Sequence, residues 1–224
     1  MPNTADALRP LACSALGESA LVCTLPPPAT LAQQQAIWAL AQEVRDWPHV
    51  KEAVPGMNNL TLLFDAREGD AAELEARVRH VWPSLRGTAL SRRSVEIPVH
   101  YGGEAGPDLA HVAAHTGLAI AEVVRRHAAG DYTVFMLGFL PGFAFMGGLA
   151  PELATPRRAE PRTQVPAGSV GIGGEQTGIY PMPSPGGWQL IGRTALSLFD
   201  AEAEAPTLLR PGDSVRFVAE RIDS

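Results

Sequence analysis

Apolar and polar residues alternate with two different periods in the first part of the chain. Residues 31–45 carry apolar side chains at the spacing of a helix, whereas residues 59–66 place them at every second position, as a strand does. A short apolar run at 19–25 predicts another strand. A second helix begins after Asp70, which forms a capping-box pattern, and Pro83 ends it. This order of elements predicts a small α/β sandwich.

The pattern changes near residue 93. Residues 94–102 alternate strictly between apolar and polar side chains and predict a long strand. Two helices follow, and Gly117 and Gly130 end them. Residues 138–192 then hold twelve glycines and eight prolines among 55 residues. That composition makes long helices improbable and favours short strands joined by tight turns, as in a β-barrel.

These patterns predict an α+β protein with two domains. A small N-terminal α/β sandwich domain would occupy residues 1–91, and a β-barrel domain would occupy residues 92–224. The chain is 46% hydrophobic and 19% charged, so it can bury a sizeable core.

Charge and rare residue types argue against several classes of function. A net charge of −6 leaves no basic excess for binding nucleic acid. Lys51 is the only lysine and no glycine-rich loop precedes it, so we expect neither a P-loop nor lysine-based catalysis. Two cysteines, Cys13 and Cys23, do not make a disulfide framework. The N-terminal residues resemble neither a signal peptide nor a membrane span. We therefore expect a reduced, cytoplasmic protein with no nucleic-acid or membrane partner.

Four strings from residue 95 onward closely resemble one protein family, and the resemblance spans nearly the whole chain. The strings are VEIPVHYGGEAGPDL (95–109), YTVFMLGFLPGFAFMGGL (132–149), PRRAEPRTQVPAGSVGIGGEQTGIYPMPSPGGWQLIGRT (156–194) and LFD (198–200). In this order they are similar to the allophanate-hydrolase-subunit-1 family, which is also known through the B subunit of 5-oxoprolinase and a bacterial sporulation-kinase inhibitor.

The resemblance implies a fold and an assembly. The C-terminal barrel would be cyclophilin-like, and the family usually works with a homologous partner, the C subunit, which belongs to the allophanate-hydrolase-subunit-2 family. In 5-oxoprolinase a third component, the A subunit, joins them, and the complex converts 5-oxo-L-proline to L-glutamate at the expense of ATP. The resemblance therefore implies one component of a hydrolase complex, inactive when alone. ATP would be bound by the complex, since this chain has no nucleotide motif.

Two other functions stay open at this point. The family resemblance also implies a regulatory protein whose barrel docks the helical bundle of a sensor histidine kinase, or a component of urea or allophanate metabolism. The fold does not choose between these functions, because function depends on the residues of the site.

Opening an amide ring requires donors that stabilise the developing charge and a group that holds the substrate carboxylate. We predict catalytic roles for Glu104, His127 and Arg162. The planar guanidinium of Arg162 suits a carboxylate, while Glu104 would act as a base and His127 would transfer a proton. The alternatives are a surface ion pair for Arg162, a turn acid for Glu104 and a favourable helix-end charge for His127.

Aromatic and turn residues supply the candidate substrate-binding side chains. The string GFLPGFAFMGGL (138–149) holds three phenylalanines that would seal the barrel, line a pocket for a flat substrate or contact a partner protein. The string EQTGIYP (175–181) offers donors and acceptors at short range, or is a self-satisfied hairpin. The predicted substrate-binding residues are Phe139, Phe143, Gln176, Thr177, Tyr180, Ser184 and Trp188.

Two further patterns do not predict a site. His111 and His115 have the spacing of two metal ligands on a helix, but no third ligand is evident, so we predict no metal site. The string AGSVG (167–171) lacks the first glycine and the strand-to-helix context of a nucleophile elbow.

Overall fold

The chain divides into two compact units, Met1–Leu90 and Ser91–Ser224. The computed structural model describes residues 9–85 and 93–223. The predicted domain boundary between residues 91 and 92 lies outside the described residues and stays a prediction. Each unit has its own cluster of buried apolar side chains.

The first unit combines a four-stranded antiparallel sheet with two helices. Both helices and two of the four strands were predicted from the sequence. Its elements are β1 (Ala12–Leu16), β2 (Ala20–Thr24), α1 (Leu31–Val44), β3 (Val50–Gly56), β4 (Asn59–Phe64) and α2 (Ala71–Val81). The strands pair in the order β1-β2-β4-β3.

Polar side chains begin both helices of this unit. Thr30 Oγ1 accepts a hydrogen bond from the Gln33 N–H at 3.3 Å, and Asp70 accepts one from the Ala72 N–H at 3.2 Å. The apolar sides of the helices then pack on the sheet in one core. Buried members of this core include Ile37, Leu40, Leu60, Leu62, Leu74 and Val78.

The sequence periodicity predicts neither β1 nor β3, the two edge strands of this sheet. Most residues of β1 are exposed, so no apolar alternation marks the strand. Strand β3 contains Pro55, which argues against a strand on sequence grounds. Proline is tolerated there because an edge strand does not need every N–H for pairing.

The second unit is a closed β-barrel with two helices, which confirms the predicted barrel. In chain order the elements are β5 (Ser94–Gly102), α3 (Leu109–Thr116), α4 (Ile120–Ala128), β6 (Tyr132–Leu137), β7 (Ala144–Gly147), β8 (Arg162–Val165), β9 (Ser169–Gly173), β10 (Gln176–Ile179), β11 (Ser184–Gly186), β12 (Gln189–Arg193) and β13 (Ser214–Asp223). Seven strands close the barrel in the order β10-β7-β6-β13-β5-β12-β9, and β8 pairs with β11 in a separate two-stranded sheet.

Strand β5 organises the barrel interior. It runs parallel to β13 and antiparallel to β12. Its predicted alternation is confirmed, because Ile97, Val99 and Tyr101 are fully buried in the barrel core. Helix α3 ends as predicted at Gly117, whose φ of +68° lies in the left-handed region that favours glycine.

The glycine- and proline-rich residues 138–192 form short strands and turns, as predicted. The helical structure described there is a single 3₁₀ turn at Pro151–Leu153. Among the described residues of the whole chain, no helix is long and apolar enough to cross a membrane.

Candidate active site

Five aromatic side chains meet beside strands β7, β10 and β12. They line a pocket of about 290 Å³, which we call the aromatic pocket. Four of the predicted substrate-binding residues, Phe139, Phe143, Tyr180 and Trp188, are brought together in it. The remaining lining residues are Phe145, Arg157, Pro161, Pro185, Gly186 and Gly187.

Three of these rings form a fixed wall. The centroid of the Phe143 ring lies 5.1 Å from that of Tyr180 and 5.5 Å from that of Trp188, and both pairs pack edge to face. All three side chains are buried. Gly186 permits this packing, because a Cβ atom there would lie 2.5 Å from the Tyr180 hydroxyl oxygen.

Phe139 stands apart from this wall. Its side chain is 63% exposed, although its ring still packs edge to face on Phe143. Its φ of +68° places a bulky residue in the left-handed region, where such residues are outliers. Exposure and backbone strain are both unfavourable for the isolated fold, so Phe139 is the ring of this pocket that is accessible to a ligand or partner.

The carboxylate of Asp108 connects distant segments next to the pocket. Its Oδ1 accepts hydrogen bonds from Arg162 Nη2 at 2.8 Å and Arg158 Nη1 at 3.2 Å. Its Oδ2 accepts one from the Leu190 backbone N–H at 2.7 Å. The Asp108 side chain is only 7% exposed, so it fixes both arginines from a largely buried position.

The two terminal nitrogens of Arg162 differ in their hydrogen bonding. The side chain is 23% exposed, and its Nη2 is bound to Asp108. Its Nη1 is buried and has no hydrogen-bond partner among the described residues. A buried N–H without a partner is costly. Arg162 is nevertheless not among the residues that line the aromatic pocket, although its neighbour Pro161 is.

A second, more polar pocket adjoins this cluster. We call it the charged groove; its volume is about 500 Å³, and Asp108, His111, His115, Arg157, Arg158, Glu160 and Gln189 supply its polar lining. Arg157 lines both the charged groove and the aromatic pocket. Its guanidinium carbon lies 5.9 Å from the Trp188 ring centroid, within the range of a cation–π contact.

Tyr180 can act as a donor in the aromatic pocket. Burial raises the pKa of its hydroxyl, and this outweighs the lowering by a backbone hydrogen bond from Trp188 and by the charges of Arg157 and Arg162. The hydroxyl therefore stays protonated at neutral pH.

His127 and Thr177 lie in the barrel interior instead of at a pocket. His127 Nδ1 is 2.8 Å from the Tyr101 hydroxyl, and Nε2 is 3.0 Å from Thr177 Oγ1. Thr177 in turn donates to the Gly171 carbonyl. Burial lowers the pKa of His127 to about 3, so the ring is neutral. Both side chains have their hydrogen-bond partners within the barrel. Their predicted roles towards substrate stay predictions.

Three other predicted residues lie away from the aromatic pocket. Glu104 is exposed and lines a separate cleft of about 840 Å³ together with Arg193 and Arg221. Gln176, at the start of β10, is half-buried and lines none of these three pockets. Ser184 is buried and donates its hydroxyl to the Pro185 carbonyl.

Sequence reasoning missed the role of Asp108. The sequence favours it as the residue that begins α3, yet its side chain makes no capping hydrogen bond there. Its partners lie 50, 54 and 82 residues further along the chain. Spacing cannot reveal such pairs; covariation of these positions among relatives would be the signal.

No metal centre emerges from the part of the chain that the structure describes. Within residues 9–85 and 93–223, no three His, Cys, Asp or Glu side chains are grouped to hold an ion. The groups that the aromatic pocket and its surroundings offer to a ligand are aromatic surface, arginine charge and the hydroxyl of Tyr180.

Comparison with known proteins decides the family. Residues 11–209 match the family model described as carboxyltransferase domain, subdomain C and D. The chain belongs to this family. It is 54% identical over 209 residues to the B subunit of a 5-oxoprolinase from Escherichia coli O157:H7, covering 93% of this chain and 96% of that protein. It is 50% identical to the corresponding 5-oxoprolinase B subunit of Haemophilus influenzae, covering 93% and 97%. The family resemblance is confirmed.

Solved structures of similar proteins share the fold. The crystal structure of TTHA0988 matches with a TM-score of 0.76 at 37% identity, over 89% of this chain. This chain spans only 39% of that longer protein. The urea amidolyase of K. lactis matches with a TM-score of 0.82 over 99% of this chain and 15% of its own length. At 20% identity, that likeness shows the fold alone.

Proposed function

We propose that this carboxyltransferase-domain protein is the B subunit of an ATP-dependent 5-oxoprolinase, which opens the ring of 5-oxo-L-proline to give L-glutamate. The observation that carries the proposal is 54% identity to a 5-oxoprolinase B subunit along 93% of this chain and 96% of that relative. Identity at this level along both chains leaves no large segment of the relative without a counterpart here.

The aromatic pocket suits such a substrate in size and chemistry. Ligand pockets generally measure about 300–1,000 Å³. The aromatic pocket, at about 290 Å³, is at the lower limit of this range and suits a small molecule. The flat lactam ring packs against the wall formed by Phe143 and Trp188, and Phe139 covers it from the open side. Arg157, at the junction with the charged groove, pairs with the substrate carboxylate.

Tyr180 provides the donor for the amide oxygen, and the positive charge of Arg162 acts on its hydroxyl. The hydroxyl of Tyr180 is protonated at neutral pH, whereas Arg162 does not itself line the pocket. Negative charge develops on the amide oxygen when water adds to the carbonyl carbon, and fixed donors stabilise it. Asp108 holds Arg162 in place and is a positioning residue in this scheme.

ATP binds elsewhere in the complex. The chain has one lysine, Lys51, and no glycine-rich loop before it, so it lacks the usual cradle for phosphates. The relatives' designation as B subunits implies further subunits, and we assign the nucleotide site to them. We propose the A and C subunits of 5-oxoprolinase as the partners, and we expect this chain alone to be inactive.

The test measures ATP-dependent glutamate release from 5-oxoproline. The chain is purified alone and together with the A and C subunits, and activity is expected only in the complex. Arg157→Ala should reduce kcat/KM about 100-fold, the loss of one charged hydrogen-bonding contact. Arg125→Ala is the matched control, since Arg125 is exposed on α4 and pairs only with its helix neighbour Glu122 in the described structure.

Full turnover by the isolated chain would contradict the need for partners. Assembly of the complex with no turnover of 5-oxoproline would contradict the proposed substrate.

A second candidate function is a carboxyltransferase step in urea metabolism. It is supported by 49% identity over 61 residues to a urea amidolyase of Lachancea kluyveri, which covers 25% of this chain and 3% of that protein. The same purified complex should then consume urea or allophanate instead of 5-oxoproline. Inhibition of a sensor kinase stays a prediction from the sequence.

A further inference from the structure

The two cysteines of the chain face each other across a strand pair. Cys13 in β1 and Cys23 in β2 are directly opposite partners in the antiparallel register. Their sulfur atoms lie 3.5 Å apart, within hydrogen-bond distance for two thiols. Cys23 is fully buried in the core of the first unit, whereas Cys13 is half-buried and packs against that core.

This arrangement is close to that of a disulfide. Directly opposite residues in an antiparallel pair have Cα atoms roughly 4.5–5.5 Å apart, which falls inside the range of about 4.4–6.8 Å found for disulfides. The sulfur atoms need only side-chain rotation to reach bonding distance, and the backbone register need not change.

The two thiols differ in reactivity. The hydrogen bond with Cys23 lowers the pKa of Cys13 and raises that of Cys23, and burial raises both. Charged groups of α2 also act on Cys13: Arg79 lowers its pKa, and Glu75 opposes this. The partly exposed thiol is therefore also the one whose thiolate is favoured, which is the pattern of a reactive cysteine next to a resolving one.

We propose that Cys13 and Cys23 form a peroxide-sensitive dithiol site that closes to an intramolecular disulfide. The Cys13 thiolate attacks one oxygen of hydrogen peroxide, the O–O bond breaks, and hydroxide leaves to take up a proton as water. The resulting sulfenic acid on Cys13 is attacked by the Cys23 sulfur, which loses its proton. An S–S bond forms as the S–O bond breaks, and the second water leaves. One peroxide is reduced for each disulfide formed.

The experiment uses the full chain, reduced and freed of reductant. It is treated with a slight excess of hydrogen peroxide, and the remaining thiols are alkylated with iodoacetamide in denaturant. Glu18 is the only glutamate between the two cysteines, so a glutamate-specific protease separates their peptides unless a disulfide joins them. The expected result is a joined peptide pair that dithiothreitol separates, and a thermal midpoint about 5 °C above that of the reduced protein.

Two variants test the order of the steps. Cys23→Ser should stop at the sulfenic acid on Cys13, which dimedone traps. Cys13→Ser should leave Cys23 reduced and alkylated only after unfolding, because Cys23 is buried. Circular dichroism shows whether each variant is folded. The peptide mapping of the disulfide uses the natural sequence, so it tests the proposal even if a variant does not fold.

Two outcomes would overturn the proposal. One is full alkylation of both thiols after a peroxide treatment that oxidises free glutathione. The other is a disulfide between two chains, which non-reducing electrophoresis reveals as a dimer. Neither outcome depends on the proposed 5-oxoprolinase activity.

Discussion

The barrel interior around His127 and the aromatic pocket use aromatic and polar groups in opposite ways. In the interior, His127 packs its ring 4.5 Å from that of Phe217, and both ring nitrogens have partners. At the pocket, Phe139 is exposed in a strained conformation, and Arg162, next to the lining residue Pro161, has one nitrogen without a partner among the described residues. The polar groups of His127 are paired within the fold, whereas the ring of Phe139 is open to a ligand or partner.

Replacing the central residue of the interior should have the largest effect on stability. His127→Ala leaves a cavity and removes the partner of Tyr101 and Thr177, so the free energy of unfolding should fall by about 3 kcal/mol or more. Urea denaturation measures this loss. The matched control is His80→Ala, whose exposed side chain should change the same quantity by less than about 0.5 kcal/mol. Equal effects of both substitutions would contradict the structural role of His127.

Removing the charge that holds the arginines should have the next largest effect. Asp108→Asn weakens the contacts to Arg158 and Arg162 and should lower the free energy of unfolding by about 2 kcal/mol. It should also lower kcat of the assembled complex, because Arg162 is no longer held in place. Asp46→Asn, at an exposed position, is the control. Unchanged turnover in a complex that contains the folded Asp108→Asn variant would exclude a positioning role for Asp108.

Because His127 is neutral in the fold, we expect the free energy of unfolding to depend on pH. Its pKa falls from 6.5 in the unfolded chain to about 3 in the fold, so the unfolded state binds the extra proton between these values. Stability should therefore be full above about pH 6.5 and fall as the pH decreases, by up to about 1.4 kcal/mol per pH unit from this residue. Comparing the pH dependence of urea denaturation for the natural protein and a folded His127→Gln variant isolates this contribution. If the free energy of unfolding of the two proteins changed equally with pH, His127 would not be buried as a neutral ring.

Truncating Phe139 should affect stability least. Phe139→Ala removes an exposed ring, so the free energy of unfolding should change by less than about 1 kcal/mol. Glutamate release by the complex should fall about tenfold if the ring covers the substrate. Leu16→Ala, another exposed apolar residue, serves as the control. A large loss of stability without loss of turnover would make Phe139 a structural residue and remove the contrast with the interior.

Local sequence patterns predicted most of the fold because burial follows periodicity. The alternation of 94–102 predicted β5, and its apolar positions are buried as expected. The two edge strands were not predicted, because β1 is exposed and β3 contains a proline. The prediction that the barrel is cyclophilin-like came from the family resemblance alone.

The site was predicted only in part, for a different reason. Aromatic residues near glycine-rich turns indicated the pocket, and four of them line it. The burial of His127 was not predicted, because its position near a helix end says nothing about the strands that pack against it. Asp108 was interpreted locally because its partners come from β8 and β12, far along the chain. Long-range pairing of polar groups leaves no periodic trace in a single sequence.

The parallel pairing of β5 with β13 affects when the barrel can fold during synthesis of the chain. Residues that face each other across this pair, such as Glu96 and Arg216, are 120 positions apart. On the ribosome, β5 emerges long before the strand that must lie beside it, so its edge stays open while the intervening segment is synthesised. The barrel can therefore close only after β13 has been synthesised, and until then the open edge of β5 is able to pair with other chains.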